Sequence, residues 1–326
     1  MLNGVVNVYK ERGYTSHDVV ARLRGIFGQR KIGHTGTLDP DAEGVLPVCL
    51  GNATRLSELL TDRSKAYRAV LLLGRTTDTQ DAGGRMLKER PVHVSEQTAA
   101  EVIKSFVGNY DQIPPMYSAL KVNGKKLVDL ARRGIEVERK PRAVEIYDIC
   151  IEVVSLPRVT MTVQCSKGTY IRTLCHDIGE KLGCGGCMEQ LTRIRSGGFC
   201  IETAHRLGEL EKSVQAGEET RYLIPTDACL SDYPGLTVSK EADKLLKNGN
   251  PIEATACSAL EEDRALGEFA RKGAFFDSKQ EDPMIAGSQR SGCYRLYSCD
   301  GIFAGLYRMR KGGKLYPEKM FLSGGK

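Results

Sequence analysis

No stretch of this chain is apolar enough to cross a bilayer as a helix. Its longest uninterrupted apolar run, Ala69-Val70-Leu71-Leu72-Leu73, is five residues, against the roughly 20 a membrane span needs. The start, Met1-Leu2-Asn3-Gly4-Val5-Val6-Asn7, lacks the charged opening and long apolar core of an export signal. Low-complexity tracts, a collagen period and an excess of Pro plus Gly are also missing, which excludes disorder and fibre as the overall state. A cytoplasmic, soluble protein with no membrane partner is therefore expected. Hydrophobic residues are 41% and charged residues 27%, an ordinary globular balance over 326 residues, about twice a typical domain.

Several catalytic signatures are missing too. The glycines match neither GxGxxG nor GxxxxGK[ST], and there is no GxSxG elbow, HExxH pair or kinase set. Nucleotide-dependent and zinc-hydrolase chemistries are not expected on that ground. The cysteine count, 11, is odd, and reduced thiols are expected. Cys184-Gly185-Gly186-Cys187 is the only CxxC, and no second ligand pair completes a structural zinc site, so no metal is expected. Cys49, Cys150 and Cys165 lie in apolar runs and read as core.

What is present is modestly basic. Net charge is +6, but Arg290 to Lys326 alone carries +6, with Tyr294, Tyr297, Tyr307 and Tyr316 among the cations, whereas residues 236–289 carry −3. Such an end suits a polyanion such as RNA; a solvated basic face is the plainer alternative.

Hydrophobic spacing predicts a helix opened by Thr15-Ser16 and Asp18, with Val19, Val20, Leu23, Ile26 and Phe27 on one face and Gly28 as its stop. Val45 to Leu50 and Tyr67 to Leu73 read as buried strands. Ser95 caps a helix expected to run through Val107 to Gly108. Strands follow over Ile146–Val154 and Val159–Cys165, then a helix from Tyr170 to Leu182 stopped by Gly183. Strands and helices interleave without a βαβ rhythm, which predicts an α+β fold with a mixed or antiparallel sheet. Near Pro234-Gly235 the texture changes: a short helix over Ser239–Lys247, then strands over Cys293–Ser298 and Ile302–Arg308 separated by glycines. The expected division is 1–235 and a small β-rich module over 236–326, with a polar surface insertion near 258–290.

The most unusual stretch is residues 30–46. Asp39 stands in a glycine-rich loop between Leu38 and Pro40, and the proline biases it toward an extended backbone that aims its carboxylate. His34 and Thr37 share that loop. An isolated Leu-Asp-Pro is ordinarily a surface turn, yet Gly33, Gly36 and Gly44 allow something to approach the backbone closely.

Gly33-His34-Thr35-Gly36-Thr37-Leu38-Asp39-Pro40 with Ala42-Glu43-Gly44-Val45-Leu46 resembles the catalytic-aspartate motif of bacterial tRNA pseudouridine-55 synthases, the TruB family. Further segments match in order: Lys10 and Gly13 with Thr15-Ser16; Lys65-Ala66-Tyr67-Arg68; Asp78-Thr79-Gln80-Asp81; Pro114 to Lys121; and Ser166-Lys167-Gly168-Thr169-Tyr170-Ile171-Arg172. Together they span residue 4 to about 200. Two positions depart from the family: Glu11 stands where a proline is usual, and Leu191-Thr192-Arg193 where it has Leu-Arg-Arg. Both bear on substrate handling more than on bond-making.

The resemblance implies a pseudouridine-synthase fold, a mixed, mostly antiparallel sheet flanked by helices, followed by a PUA-like β-barrel. It implies an isomerase for uridine 55 of the tRNA T-loop, acting as a monomer on tRNA with no cofactor and no guide RNA. Asp39 would supply the carboxylate, as nucleophile at C1′ or as base at C2′. Arg172 would pair with Asp39 and keep it ionised. Tyr67 would stack on the flipped base, and Ile171 and Leu191 would form an apolar wall. His34 would help open the RNA loop, and Lys10, Lys121 and Lys167 would meet phosphates. A non-catalytic tRNA-binding or folding protein on the same fold is the competing expectation.

Overall fold

A computed structural model describes residues 1–260 and 292–322; positions 261–290 of the expected insertion lie outside the described residues. Two compact units emerge, the first built from Met1–Pro40, Gly44–Arg63 and Ser196–Lys326, the second from Asp41–Glu43 and Ser64–Arg195.

In the first unit, strand β1 (Gly4–Lys10) leads into helix α1 (Ser16–Ile26), then β2 (Ile32–His34) and β3 (Glu43–Leu50). The Thr15 hydroxyl accepts the Asp18 amide at 3.1 Å while the Asp18 carboxylate accepts the Thr15 amide at 2.8 Å. This reciprocal box fixes the start of α1 and is worth about 1 kcal/mol. Gly28, at φ 59°, ends it. β1 runs antiparallel to β3, from Gly4 opposite Leu50 to Lys10 opposite Gly44, and β2 pairs with the end of the same strand. Val6 and Val8 pack under α1 with Leu46, Val48 and Leu50, while Val5 turns to the other face with Val45 and Cys49. Both faces of β1 are thus covered.

The second unit holds β4 (Lys65–Leu73), helix α2 (Glu96–Lys104), β5 (Gly108–Gln112), β6 (Arg142–Ser155), β7 (Arg158–Cys165), helix α3 (Ile171–Lys181) and β8 (Gly186–Ser196). Its strands lie in the order β8-β4-β7-β6-β5, and β4, β7, β6 and β5 pair antiparallel in turn. α2 stops at Lys104, short of the expected Val107, because the Ser105 hydroxyl turns back to the Val102 carbonyl at 2.7 Å. Gly108, at φ 109°, then opens β5. Cys49 and Cys165 are buried as expected, but Cys150 is exposed: β6 alternates there, with Ile149 inward and Cys150 outward.

The chain returns to the first unit with helix α4 (Leu207–Gln215), whose Leu207 and Leu210 join the core beneath α1. Beyond it come β9 (Gly235–Val238), helix α5 (Lys240–Lys247), β10 (Ile252–Glu253), β11 (Cys257–Ala259), β12 (Cys293–Tyr297), β13 (Phe303–Arg310) and β14 (Lys314–Met320). These strands form a barrel-like sheet in the order β10-β14-β13-β12-β9-β11, antiparallel except where β9 meets β12. The module keeps a core of its own around Leu246, Leu296, Tyr307 and Leu315. It also shares one with the start of the chain, where Cys293, Leu306 and Phe321 pack with Val5, Cys49, Ala53 and Leu56. The fold is α+β, as the interleaved pattern predicts, and no described helix is long and apolar enough to cross a membrane.

Candidate active site

The half-buried Asp39 is held from both sides by the connection between β1 and α1. Before it, the Leu38 amide donates to the Ser16 hydroxyl at 2.9 Å, and that hydroxyl reaches the Leu38 carbonyl at 3.4 Å. After it, the Pro40 carbonyl accepts the Gly13 amide at 2.9 Å and the Lys10 ammonium at 3.1 Å. Further back, the Thr35 amide and hydroxyl both donate to the Pro47 carbonyl, at 3.1 and 3.2 Å. The segment that reads as a motif in sequence is therefore a braced loop, with Thr15-Ser16 both capping a helix and gripping the residue before the acid.

Lys10 corrects one expectation. A phosphate contact belongs at the surface, but Lys10 is fully buried and its ammonium also donates to the Glu11 carbonyl at 3.2 Å. It braces the loop from inside. His34 closes β2, its ring edge-on to His17 at 5.3 Å.

In the second unit Arg172 sits in the first turn of α3 and is nearly all buried. Its guanidinium donates to the carbonyls of Thr79 at 3.1 Å and Tyr117 at 2.8 Å, and stands 3.6 Å from the Asp81 carboxylate. Asp81 is itself oriented, accepting from the Thr79 hydroxyl at 2.7 Å and the Gly83 amide at 3.2 Å. The planar fork thus ties two loops to one helix start, a task that needs arginine rather than lysine. Tyr67, opposite Val163, is almost fully buried on β4. Ile171 on α3 and Leu191 on the neighbouring β8 are buried as well. Lys121 and Lys167 are exposed, the latter before Gly168 at φ 80°.

Two features went unread in sequence. Asp81 was visible only as part of a matching segment, although Thr-x-Asp-x-Gly is a turn pattern that signals an oriented carboxylate. The other is charge: residues 121–142 carry eight Lys or Arg against three acids, and most of these side chains are exposed. A charge count over that window would have found it.

The CxxC is explained by packing. A Cβ on Gly179 would stand 2.1 Å from the Gly186 nitrogen, and one on Gly186 would stand 2.9 Å from the Cys175 carbonyl. The glycine pair lets α3 touch the entry to β8, with Cys184 and Cys187 buried on either side; burial pushes the Cys187 thiol up to about 11. Among the described residues one group of ligand-type side chains lies close enough to share an ion: Asp243, Cys299 and Asp300. The Lys247 ammonium pairs with both carboxylates.

Residues 24–171 match the model of the TruB family pseudouridylate synthase N-terminal domain, and residues 172–231 that of the tRNA pseudouridylate synthase B C-terminal domain. A tRNA pseudouridine synthase B from Lachnoclostridium phytofermentans is 47% identical over 98% of this chain and 100% of its own length. The chain belongs to the TruB family. Another member, tRNA pseudouridine synthase B of Clostridium perfringens, is 41% identical over 98% of this chain and 99% of its own. Among solved structures, a Cbf5-Nop10-Gar1 complex gives a TM-score of 0.70 at 27% identity, over 98% of this chain and 85% of that one. An H/ACA RNP bound to a substrate RNA containing 2'-deoxyuridine gives 0.69 at 25% identity, with the same coverage.

Both departures from the TruB pattern have local partners. The Glu11 carboxylate pairs with the Arg206 guanidinium. The Thr192 hydroxyl reaches the Glu43 carboxylate at 3.4 Å, while Arg193 is buried beside it in sequence.

Proposed function

We propose that the protein is a tRNA pseudouridine synthase that isomerises uridine 55 of the T-loop, with Asp39 as its essential acid. The observation that carries this reading is the bracing of Asp39 at both neighbours by Ser16, Gly13 and Lys10. A surface Asp-Pro turn needs no such support, whereas an acid that must meet a sugar carbon at a set angle does.

The reaction breaks the N1–C1′ bond of the uridine, turns the base and rejoins it through C5, which gives up its proton as N1 takes one. There is no net oxidation or reduction and no phosphate or hydride is transferred, so the reading takes no cofactor and no metal. The target base is extruded from the RNA before chemistry, and the aromatic face of Tyr67 is its stacking partner, worth about 1–3 kcal/mol. Ile171 and Leu191 supply apolar wall, Arg172 a fixed guanidinium and His34 a ring for the opened loop. Lys121, Lys167 and the basic segment 121–142 supply phosphate contacts, as does the basic end of the 236–326 RNA-binding module. The protein works as a cytoplasmic monomer without guide RNA, a reading supported by full-length likeness to relatives named tRNA pseudouridine synthase B.

Tritium release from tRNA transcripts labelled at uridine C5 tests the proposal. Wild type is expected to release tritium, and both Asp39→Asn and a transcript with cytidine at position 55 to abolish it. Asp39→Asn should bind tRNA within a few-fold of wild type. Tight binding by wild type with no release would favour the non-catalytic tRNA-folding reading.

A further inference from the structure

We infer that Arg206 and Glu11 form a positioning pair for Asp39, acting through the backbone that braces its loop. The inference rests on the role proposed for Asp39.

The anchors described on the two neighbours of Asp39 come from one short stretch, Lys10 to Ser16. Lys10 and Gly13 hold the Pro40 carbonyl, and Ser16 holds Leu38. Lys10 ends β1 and Ser16 begins α1, so the residues between lie outside the strand ladder, and the Thr15–Asp18 box ties their far end. A bridge of that kind transmits a position only if both ends are tied down. Glu11 ties the near end. Its carboxylate takes the Arg206 guanidinium, its carbonyl takes the Lys10 ammonium at 3.2 Å, and Lys10 passes on to Pro40 at 3.1 Å.

Arg206 is well placed to serve as the fixed end. It is the residue before α4, where its amide donates to the Glu209 carboxylate at 3.2 Å. The residue before it is stitched to β1, the His205 amide donating to the Asn7 carbonyl at 2.9 Å and the Tyr9 amide to the His205 carbonyl at 2.9 Å. Its guanidinium lies over the Tyr9 ring at 4.7 Å. Backbone pairing, the start of a helix and an aromatic face each limit where the cation can go, so the Glu11 carboxylate meets a charge that is already oriented.

The pair is partly open to solvent, with 55% of the Arg206 side chain and 37% of that of Glu11 exposed. Exposed pairs contribute little to global stability. The expected effect is therefore on rate, since small misplacements of a reacting group are costly, and it is modest.

The test compares wild type with Arg206→Ala, Glu11→Ala, the double alanine variant, Arg206→Lys, and the exchanged pair Glu11→Arg with Arg206→Glu. Two readouts are taken: kcat and KM for tRNA isomerisation, and amide hydrogen exchange over residues 33–41 without RNA. Each single alanine variant should lower kcat about three- to tenfold with KM within about twofold. The double variant should be no slower than the slower single, the signature of one shared interaction. Arg206→Lys should be intermediate, and the exchanged pair should recover only part of the loss, because a carboxylate at 206 forgoes the Tyr9 ring and faces Glu209. Exchange over 33–41 should quicken in each single variant. A raised KM with unchanged kcat would make Arg206 an RNA contact and overturn the inference. So would additive losses in the double variant, or unchanged exchange in the singles. Because exchange is read without turnover, an inactive wild type would defeat the functional proposal alone and leave the brace still judged.

Discussion

Gly179 and Gly186 meet backbone to backbone, so that a single methyl group on Gly179 would stand 2.1 Å from the Gly186 nitrogen. Neither α3 nor β8 can yield there, because the obstacle is main chain on both sides. Gly179→Ala is expected to destabilise the protein by about 3 kcal/mol, the upper part of the range for overpacking, read as a lowered urea midpoint. Gly208→Ala is the control. Its Cβ would meet nothing within 4 Å on α4, and it should gain about 0.5 kcal/mol. Equal midpoints for the two variants would contradict this account.

Arg172 holds Asp81 and the carbonyls of Thr79 and Tyr117 together. Arg172→Ala leaves the Asp81 carboxylate without its cation and two carbonyls without their donor, and about 3 kcal/mol of stability should be lost. Arg172→Lys keeps the charge but not the fork. It should fold and yet turn over about 100-fold more slowly, measured under single-turnover conditions. A lysine variant with wild-type rate would show that the charge alone suffices.

The Ser16 hydroxyl is the partner of a buried backbone amide, that of Leu38. Removing it in Ser16→Ala strands that amide, at about 1–3 kcal/mol, and loosens the approach to Asp39. The rate should fall by about tenfold with tRNA affinity unchanged. Loss of affinity with an intact rate would instead place Ser16 among the RNA contacts.

Asp177 of α3 is half-buried, and that desolvation raises its carboxyl above the ordinary 3.8 even though a hydrogen bond from Tyr110 of β5 and the nearby His176 act to lower it; Glu180 adds to the rise. The folded state therefore binds this proton more tightly than the unfolded chain does. Its contribution to stability is full below pH 3.8 and is lost as pH climbs through the raised value. Tyr110 is pushed up as well, first by its own burial and then by Asp177, and so keeps its proton above pH 10 only while folded. Asp177→Asn should flatten the mildly acidic slope of urea midpoint against pH. An unchanged slope would assign that slope to other groups.

Legibility in the sequence tracked how ordinary each residue's surroundings are. α1 could be read because Thr15 and Asp18 make a box and its apolar face is one-sided. β4 could be read from its apolar run, and β6 and β7 because their inward positions alternate with outward ones over several residues. β1 escaped notice because Val5 and Val6 serve opposite cores, which leaves no alternation to detect. β8 alternates only from Leu191 to Arg195, and of its three buried positions there, Leu191, Arg193 and Arg195, two look like surface. β14 carries Pro317, which argues against a strand; the ladder is irregular there, with Glu318 left over between the partners of Leu306 and Tyr307. At the site, the Asp39 motif and the place of Arg172 at a helix start were both visible. The partner Asp81 and the buried setting of Lys10 were not, since no local pattern distinguishes a braced lysine from a solvated one.

The pieces of the first unit come from the two ends of the chain, and this sets an order of assembly during synthesis. Ser64 to Arg195 leaves the ribosome as one continuous run and already contains every strand from β4 to β7 with α2 and α3. The core that Val5 shares with Val45 and Cys49 must wait for Ile224, Cys229, Leu306 and Phe321 before it is complete. The nascent protein thus carries a partly covered apolar face from β1 until those residues emerge, the condition under which chaperones engage emerging chains.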